Sequence, residues 1–201
     1  MIRAIETPRG TARVLLQHVL DARGAIVLGH GAGGSVSAPD LQVATRAALD
    51  AGLSVALVEQ PYRVAGRRSA PSAPHLDEAW TAVLADLYEL QGLPLVTGGR
   101  SSGARVACRT AEATGAAAVL CLAFPLQPPA RSSGAVPDSR LPELDVVSVP
   151  VLVVQGQRDP FGVPPAGPRR QVVRVNGDHS LKQDPGALSE AVQAWLRSLD
   201  L

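Results

Sequence analysis

The 201-residue sequence has little net charge, few cysteines and no long apolar run. Its formal net charge is +1 at pH 7, so it lacks the basic field that concentrates polyanions, and we expect no nucleic-acid partner. No stretch approaches the roughly 18 to 20 apolar residues that span a bilayer. Residues 1–9 mix charged with apolar side chains and do not form the apolar core of a signal peptide. We therefore expect a cytoplasmic protein with no membrane partner.

The only cysteines are Cys108 and Cys121, and neither is part of a CxxC pattern or lies near a histidine cluster. Because both lie in apolar stretches, we predict buried, reduced thiols rather than a disulfide or a metal site. Hydrophobic residues make up 46% of the chain and charged residues 18%, which is typical of a globular protein. The length suits a single domain over residues 1–201. The sequence does not indicate an oligomeric state.

Short apolar runs alternate with amphipathic helical patterns along nearly the whole chain. This alternation predicts an α/β fold, in which a mostly parallel central sheet has helices on both faces. Strands are predicted over residues 24–29, 54–58, 93–97, 117–123, 149–155 and 171–175, and helices over 40–51, 75–90, 102–114 and from 184. Residues 2–6 and 13–17 predict an N-terminal antiparallel hairpin. Residues 125–150, rich in Pro, Ser and Arg, are interpreted as an irregular surface excursion.

A GxSxG pattern lies directly between a predicted strand and a predicted helix, at residues 99–103. A serine at such a turn, a nucleophile elbow, adopts a strained backbone conformation that projects its hydroxyl above the sheet. Ser101 is therefore the candidate nucleophile. The amide of Ser102, at the helix N-terminus, is a candidate oxyanion donor. The alternative is a plain turn in a segment rich in Gly and Ser.

A serine nucleophile needs a base and an orienting acid, in the chain order Ser, Asp, His for this type of site. Asp159 and His179 each follow a predicted strand, at the edge where α/β sheets gather functional groups. We predict His179 as general base and Asp159 as the acid that orients it. Taken singly, each could be an ordinary loop residue. Asp178 is a poorer acid because neighbouring side chains point apart, and Asp138 and Asp145 are weaker alternatives.

A glycine-rich loop, residues 29–34, follows the first long apolar strand. Its HG-x-G pattern leaves amides free, and Ala32 is the candidate second oxyanion donor. The same residues satisfy GxGxxG, and Glu59 ends the next strand, so a dinucleotide-binding protein is an alternative. We favour it less because residues 35–39 separate the loop from the next helix. His30 is interpreted as a structural histidine.

Several motifs beyond GxSxG occur in a characteristic order. They are Gly29-His30-Gly31-Ala32-Gly33, Pro61-Tyr62-Arg63, Gly98-Gly99-Arg100-Ser101, Phe124-Pro125-Leu126, Arg158-Asp159-Pro160-Phe161-Gly162 and Gly177-Asp178-His179. With them the sequence resembles the α/β-hydrolase superfamily, and within it the compact, lidless branch related to dienelactone hydrolases. That branch includes the hydrolase-like domain of the third subunit of the NSL chromatin complex. The resemblance implies an α/β-hydrolase fold without a cap domain and a triad of Ser101, Asp159 and His179. It implies no particular substrate.

The sequence departs from the usual fold pattern in one place. Residues 161–168 are too short and too rich in Pro and Gly for the helix expected between the last two strands. We therefore expect an irregular final crossover.

These observations predict a serine hydrolase that cleaves a small ester or thioester through an acyl-enzyme on Ser101. The partner is a small-molecule acyl substrate, and the chemistry needs no cofactor or metal. Arg67 and Arg68 could bind an anionic group of that substrate, although a solvated loop tip fits them equally well. The rival prediction is a non-catalytic hydrolase-like module that binds a ligand or a partner.

Overall fold

A computed structural model describes residues 1–128 and 137–201. Eight strands form one sheet with the spatial order β1-β2-β4-β3-β5-β6-β7-β8. The strands are β1 (Ile2–Thr7), β2 (Gly10–Gln17), β3 (Gly24–Gly29), β4 (Leu53–Glu59), β5 (Leu95–Arg100), β6 (Ala118–Leu122), β7 (Val151–Gly156) and β8 (Arg170–Val175). The helices are α1 (Pro39–Asp50), α2 (Pro61–Val64), α3 (Ala73–Asp86), α4 (Ser102–Thr110), α5 (Leu141–Asp145) and α6 (Pro185–Ser198), and Tyr88–Leu90 form a 3₁₀ turn.

The sheet is antiparallel only at its N-terminal edge. Strand β1 pairs with β2, and β2 with β4, in antiparallel register. From β4 across to β8 every pairing is parallel. The predicted α/β fold with its mostly parallel sheet and N-terminal hairpin is confirmed.

The central strands are apolar on both sides because helices cover both faces of the sheet. Every residue of β3 and of β6 is buried. Ile26 and Leu28 of β3 pack on the face that α1 and α6 cover, in the same buried cluster as Trp195 of α6. Ala25 and Val27 point to the opposite face and pack with Trp80 of α3. The alternation of side chains along a single strand thus supplies two cores.

Two segments differ from the sequence expectation. The helix predicted over residues 75–90 ends at Asp86, and a 3₁₀ turn completes the segment. Within 125–150, helix α5 and the buried residues Leu144 and Val147 pack against Phe124, so this segment is not only a surface excursion. A five-residue helix is too short to show a helical period in the sequence. Residues 129–136 of the excursion lie outside the described residues.

The final crossover and the burial of the cysteines agree with expectation. Residues 157–169 join the parallel strands β7 and β8 without a helix. Cys108 on α4 and Cys121 on β6 are buried, unbonded thiols whose sulfur atoms lie 3.4 Å apart. Among the described residues no helix has the length and apolar character needed to cross a membrane.

Candidate active site

Ser101 lies at the sharp turn between β5 and α4. Its backbone has φ 52° and ψ −108°, a region that residues with a side chain seldom occupy. Its amide donates to the Leu122 carbonyl of the neighbouring strand over 2.9 Å, which fixes the turn to the sheet. A Cβ atom at Gly99 or Gly103 would collide with the Gly29 carbonyl oxygen. The two glycines of the GxSxG pattern therefore allow the end of β3 to pack directly against the turn.

Ser101, His179 and Asp159 come together at the carboxyl edge of the sheet. The Ser101 Oγ lies 3.0 Å from His179 Nε2, and His179 Nδ1 lies 2.8 Å from Asp159 Oδ2. Because a carboxylate only accepts hydrogen bonds, Nδ1 carries the imidazole proton and donates it to Asp159. The Nε2 lone pair then faces the serine hydroxyl. This orientation is the one in which the imidazole can accept the hydroxyl proton.

Asp159 is held by groups other than the histidine. Its carboxylate is completely buried, and it accepts from the Gln155 Nε2 over 2.7 Å and from the Phe161 amide over 2.9 Å. The Gln155 Nε2 also faces the carbonyl oxygens of Phe124 and Gly162, at 3.0 and 2.9 Å. Since all three neighbours are acceptors, the orientation of the Gln155 amide is determined. Gln155, at the end of β7, thus fixes the position of Asp159.

The histidine loop is anchored from its other side by Arg100. The Arg100 Nη2 donates to the His179 carbonyl oxygen over 3.0 Å. The Arg100 Nε lies 2.8 Å from the Oδ2 atom of Asp40, with the geometry of an ion pair rather than of an aligned hydrogen bond. The Asp40 side chain is only 1% exposed; burial raises its pKa, while Arg100 opposes that rise. One guanidinium therefore connects the first turn of α1 with the loop that carries the base.

The glycine-rich loop after β3 is braced by two aromatic side chains. His30 is buried with both ring nitrogens partnered: Nδ1 lies 2.8 Å from the Gly31 carbonyl, and Nε2 accepts from the Gln60 amide over 3.0 Å. Burial lowers the pKa of His30, which favours the neutral ring that this pairing requires. The Tyr62 hydroxyl donates to the Ala32 carbonyl over 2.8 Å, and burial raises the pKa of Tyr62 to about 12.

The two residues predicted to supply oxyanion donors line the same cleft. A turn closed by the Gly34 amide and the Gly31 carbonyl leaves the amide of Ala32, its first central residue, outside the turn's own hydrogen bond. The Ser102 amide lies in the first turn of α4, where helix amides have no intrahelical acceptor. Ala32, Ser102, Ser101 and His179 line one cleft of about 460 Å³.

The structure separates Arg67 and Arg68 from this cleft. Arg67 lines a neighbouring cleft of about 690 Å³ that contains neither Ser101 nor His179 among its walls. Arg68 is exposed and lines neither cleft. The larger of these two clefts is therefore not the one that contains Ser101 and His179.

The alternative acids are engaged elsewhere or exposed. Asp178 accepts from the amide and hydroxyl of Ser180, and those hydrogen bonds lower its pKa. Asp145 pairs with Arg170 at 2.9 Å, and Asp138 is exposed.

The geometry does not support a dinucleotide site at the glycine-rich loop or a metal site among the described residues. Helix α1 begins at Pro39, so residues 35–38 separate the glycine-rich loop from the helix that follows it in the chain, whereas a dinucleotide pyrophosphate site requires that helix to begin at the loop. In residues 1–128 and 137–201, no cluster of His, Cys, Asp and Glu has the arrangement of a metal site.

Three residues that position the candidate catalytic groups, Gln155, Arg100 and Asp40, were not predicted from the sequence. Arg100 lies within a motif quoted above, and Gln155 is the last residue of the predicted strand 149–155. Their placement at strand ends beside the candidate catalytic residues is the signal that could have found them. Asp40 carries no such signal, because an acidic residue in the first turn of a helix is common.

Together, a strained serine at a strand-to-helix turn, a histidine and a buried carboxylate in hydrogen-bond series define the α/β class of serine hydrolase sites. Comparison with known proteins agrees. The family described as the alpha/beta hydrolase domain matches residues 22–187, and the chain belongs to that family. No curated protein matches the chain in sequence.

Solved structures share the fold over nearly their whole length. A lidless α/β serine hydrolase from Xanthomonas campestris has a TM-score of 0.73 at 19% identity, over 99% of this chain and 96% of that one. Est1E from Butyrivibrio proteoclasticus has a TM-score of 0.79 at 14% identity, over 97% of each chain. A dienelactone hydrolase from Anabaena variabilis has a TM-score of 0.71 at 18% identity, over 98% and 94%. The expected superfamily and lidless fold are thus confirmed, and the likeness to the NSL subunit stays a prediction.

Proposed function

We propose that the protein is a serine hydrolase that cleaves a small ester or thioester through an acyl-enzyme on Ser101. The observation that carries the proposal is the unbroken hydrogen-bond series from Ser101 Oγ through His179 to Asp159, at 3.0 and 2.8 Å. An apo site in which both distances already lie within hydrogen-bond range needs no rearrangement before proton transfer.

In the first half-reaction His179 Nε2 takes the Ser101 proton as Oγ attacks the acyl carbonyl carbon. The carbonyl π electrons move to oxygen, and the amides of Ala32 and Ser102 donate to that oxyanion. Asp159 stabilises the imidazolium. Collapse of the tetrahedral intermediate breaks the bond to the alcohol or thiol, which leaves with the proton from His179.

In the second half-reaction water replaces the alcohol. His179 removes a proton from water as the oxygen attacks the acyl carbon, and the proton passes to Ser101 Oγ when the acid departs. The cleft of about 460 Å³ suits a small acyl compound rather than an extended peptide.

Labelling with a fluorophosphonate tests the proposal, because this probe phosphonylates an activated serine. We expect stoichiometric labelling of the purified protein, none of Ser101→Ala, and unchanged labelling of Ser198→Ala, an exposed serine on α6. A panel of ester and thioester pairs of equal acyl length then decides between the two leaving groups. If the parent protein does not label, the non-catalytic binding module replaces this proposal.

A further inference from the structure

The cleft in front of Ser101 has a cationic wall. Arg100, Arg105, Arg109 and Arg140 line it, and no Asp or Glu of the described chain does. The other residues that line the cleft are His179 and a set of apolar or uncharged residues. A substrate in this cleft meets guanidinium groups and the candidate catalytic residues, so the charge balance of the four arginines determines which substrates are favoured.

Two of the four, Arg105 and Arg109, are neutralised by carboxylates behind the wall. Arg105 makes a bidentate pair with Glu143, at 2.8 and 2.6 Å. Arg109 makes a bidentate pair with Asp77, at 2.8 and 2.6 Å, and also contacts Glu143 at 3.3 Å. Burial disfavours the charged form of Glu143, yet the two arginines outweigh it and hold its pKa below the ordinary value. Arg100 is likewise paired, with Asp40.

Arg140 differs from the other three. Its Nη1 donates to the Pro125 carbonyl over 3.0 Å, and its own amide donates to the Leu126 carbonyl over 2.8 Å, so the residue is anchored to the loop after β6. Within residues 1–128 and 137–201 no carboxylate lies within ion-pair distance of its guanidinium. The sequence of residues 129–136 contains no Asp or Glu. Burial, and then the proximity of Arg105, lower the pKa of Arg140.

One positive charge is therefore left over. Among residues 1–128 and 137–201, Asp77 and Glu143 are the carboxylates that pair within this group of Arg105, Arg109 and Arg140. The three cations thus meet two anions, and the uncompensated cation is Arg140 at the cleft wall. Among the described residues the Arg140 guanidinium donates only to the Pro125 carbonyl, so most of its five N–H donors have no acceptor in this part of the chain. A monoanion with planar oxygens matches both this excess charge and the fork geometry of a guanidinium. A phosphate dianion would overcompensate the excess charge.

We propose that Arg140 makes the enzyme selective for esters that carry a carboxylate group, which it holds while Ser101 attacks the ester carbonyl. The selectivity rests on the proposed hydrolase function of the same cleft. Arg140 is a specificity-determining residue, and Arg105 and Arg109 are structural cations. The carboxylate belongs either to the acyl part or to the alcohol part of the ester, and matched substrates distinguish the two.

Initial rates in a pH-stat test the proposal with two substrate pairs. For the acyl side, ethyl hydrogen adipate is compared with ethyl heptanoate; for the alcohol side, para-acetoxybenzoate is compared with phenyl acetate. In the parent enzyme we expect a higher kcat/KM for the anion in at least one pair. In Arg140→Gln that preference should fall by about 10- to 100-fold, the loss of one charged hydrogen-bonding partner, while kcat/KM for the neutral ester changes less than about threefold.

Two further variants and a binding measurement complete the test. Arg140→Lys keeps the charge without the fork and should retain part of the preference. Arg46→Gln, a substitution at an exposed position on α1, should leave the preference for the anionic ester unchanged. Adipate should slow fluorophosphonate labelling of Ser101 more than adipamide does, and this protection should disappear in Arg140→Gln. The protection readout does not require that any particular ester be turned over.

The outcomes separate the two proposals. Normal labelling of Ser101 with no preference for anions, or a preference unchanged in Arg140→Gln, overturns the role of Arg140 and leaves the hydrolase proposal standing. Loss of the preference in Arg67→Gln or Arg68→Gln instead would move anion binding to the neighbouring cleft and also overturn it. Absence of any labelling overturns both.

Discussion

Replacing Arg100 by methionine separates a structural effect from a catalytic one, because its guanidinium makes two different contacts. One is the ion pair with the buried carboxylate of Asp40, and the other is the hydrogen bond to the His179 carbonyl oxygen. Methionine preserves most of the aliphatic length of the side chain and removes both contacts. Asp40 is then left with the Leu41 amide, at 2.9 Å, as its hydrogen-bond donor.

The magnitude follows from the burial of Asp40. Its side chain is 1% exposed and that of Arg100 is 19% exposed, so the carboxylate is poorly solvated where it lies. Removing one partner of such a pair costs about 3 to 5 kcal/mol of unfolding free energy. For a chain of this length that lowers Tm by roughly 6 to 20 °C. Replacing both partners by apolar residues avoids the unpaired charge, so the double variant Asp40→Leu/Arg100→Met should recover most of the lost stability.

The pH dependence of stability has a definite sign. The pKa of Asp40 is raised in the folded protein, so the folded state retains its proton to a higher pH than the unfolded state does. The contribution of Asp40 to stability is therefore greatest below the ordinary pKa of 3.8 and falls as the pH rises through the raised pKa. Without Arg100 the pKa of Asp40 rises further. In Arg100→Met the loss of stability that accompanies ionisation of Asp40 therefore extends to higher pH.

Catalysis should respond differently from stability. Both Arg100→Met and the double variant lack the hydrogen bond that fixes the histidine loop, so kcat for a neutral ester should drop by about 10- to 100-fold in each. Urea unfolding gives the free energies, and initial rates give kcat. Arg46→Met, on the exposed side of α1, is the matched control and should change stability by less than about 0.5 kcal/mol. The reasoning is refuted if Arg100→Met loses less than about 1 kcal/mol, or if the double variant regains activity along with stability.

Three other substitutions test separate parts of the site. Asp159→Asn offers the imidazole a donor in place of an acceptor and favours the wrong tautomer, so kcat should fall by roughly 10⁴-fold, measured as initial rates. Gly103→Ala places a Cβ against the Gly29 carbonyl and should destabilise the fold by about 1 to 3 kcal/mol or more in urea unfolding, whereas Gly33→Ala, with open space around it, should not. Burial lowers the pKa of His30, so part of the stability should be lost as the pH falls below 6.5, and His30→Gln should lack that slope.

Each of these expectations has a contrary outcome. A kcat within tenfold of the parent in Asp159→Asn would remove the carboxylate from the proposed mechanism. Equal stability of the two Gly→Ala variants would contradict the close approach of β3 to the serine turn. An unchanged pH slope in His30→Gln would assign that slope to another titrating group.

The local elements of this protein could be predicted from its sequence because their determinants are neighbours in the chain. Short continuous apolar runs mark the buried strands, and the N-terminal hairpin is indicated by two strand-like segments with a turn between them. The strained serine turn is encoded by glycines two residues either side of Ser101, and its position between strand and helix is visible in the pattern. The order of serine, aspartate and histidine, each after a strand, was sufficient to select three residues that the structure brings together.

Other features depend on contacts between distant parts of the chain, and only the tertiary structure decided them. Arg100 reaches His179 across 79 residues, and its pairing with Asp40 requires that α1 and β5 meet at one edge of the sheet. The same holds for the charge balance of the cleft, where Arg105 and Arg109 are neutralised and Arg140 is not. An ion pair is set by distance and burial, which depend on strand order and helix packing, so no spacing along the sequence distinguishes a paired arginine from one that can bind substrate.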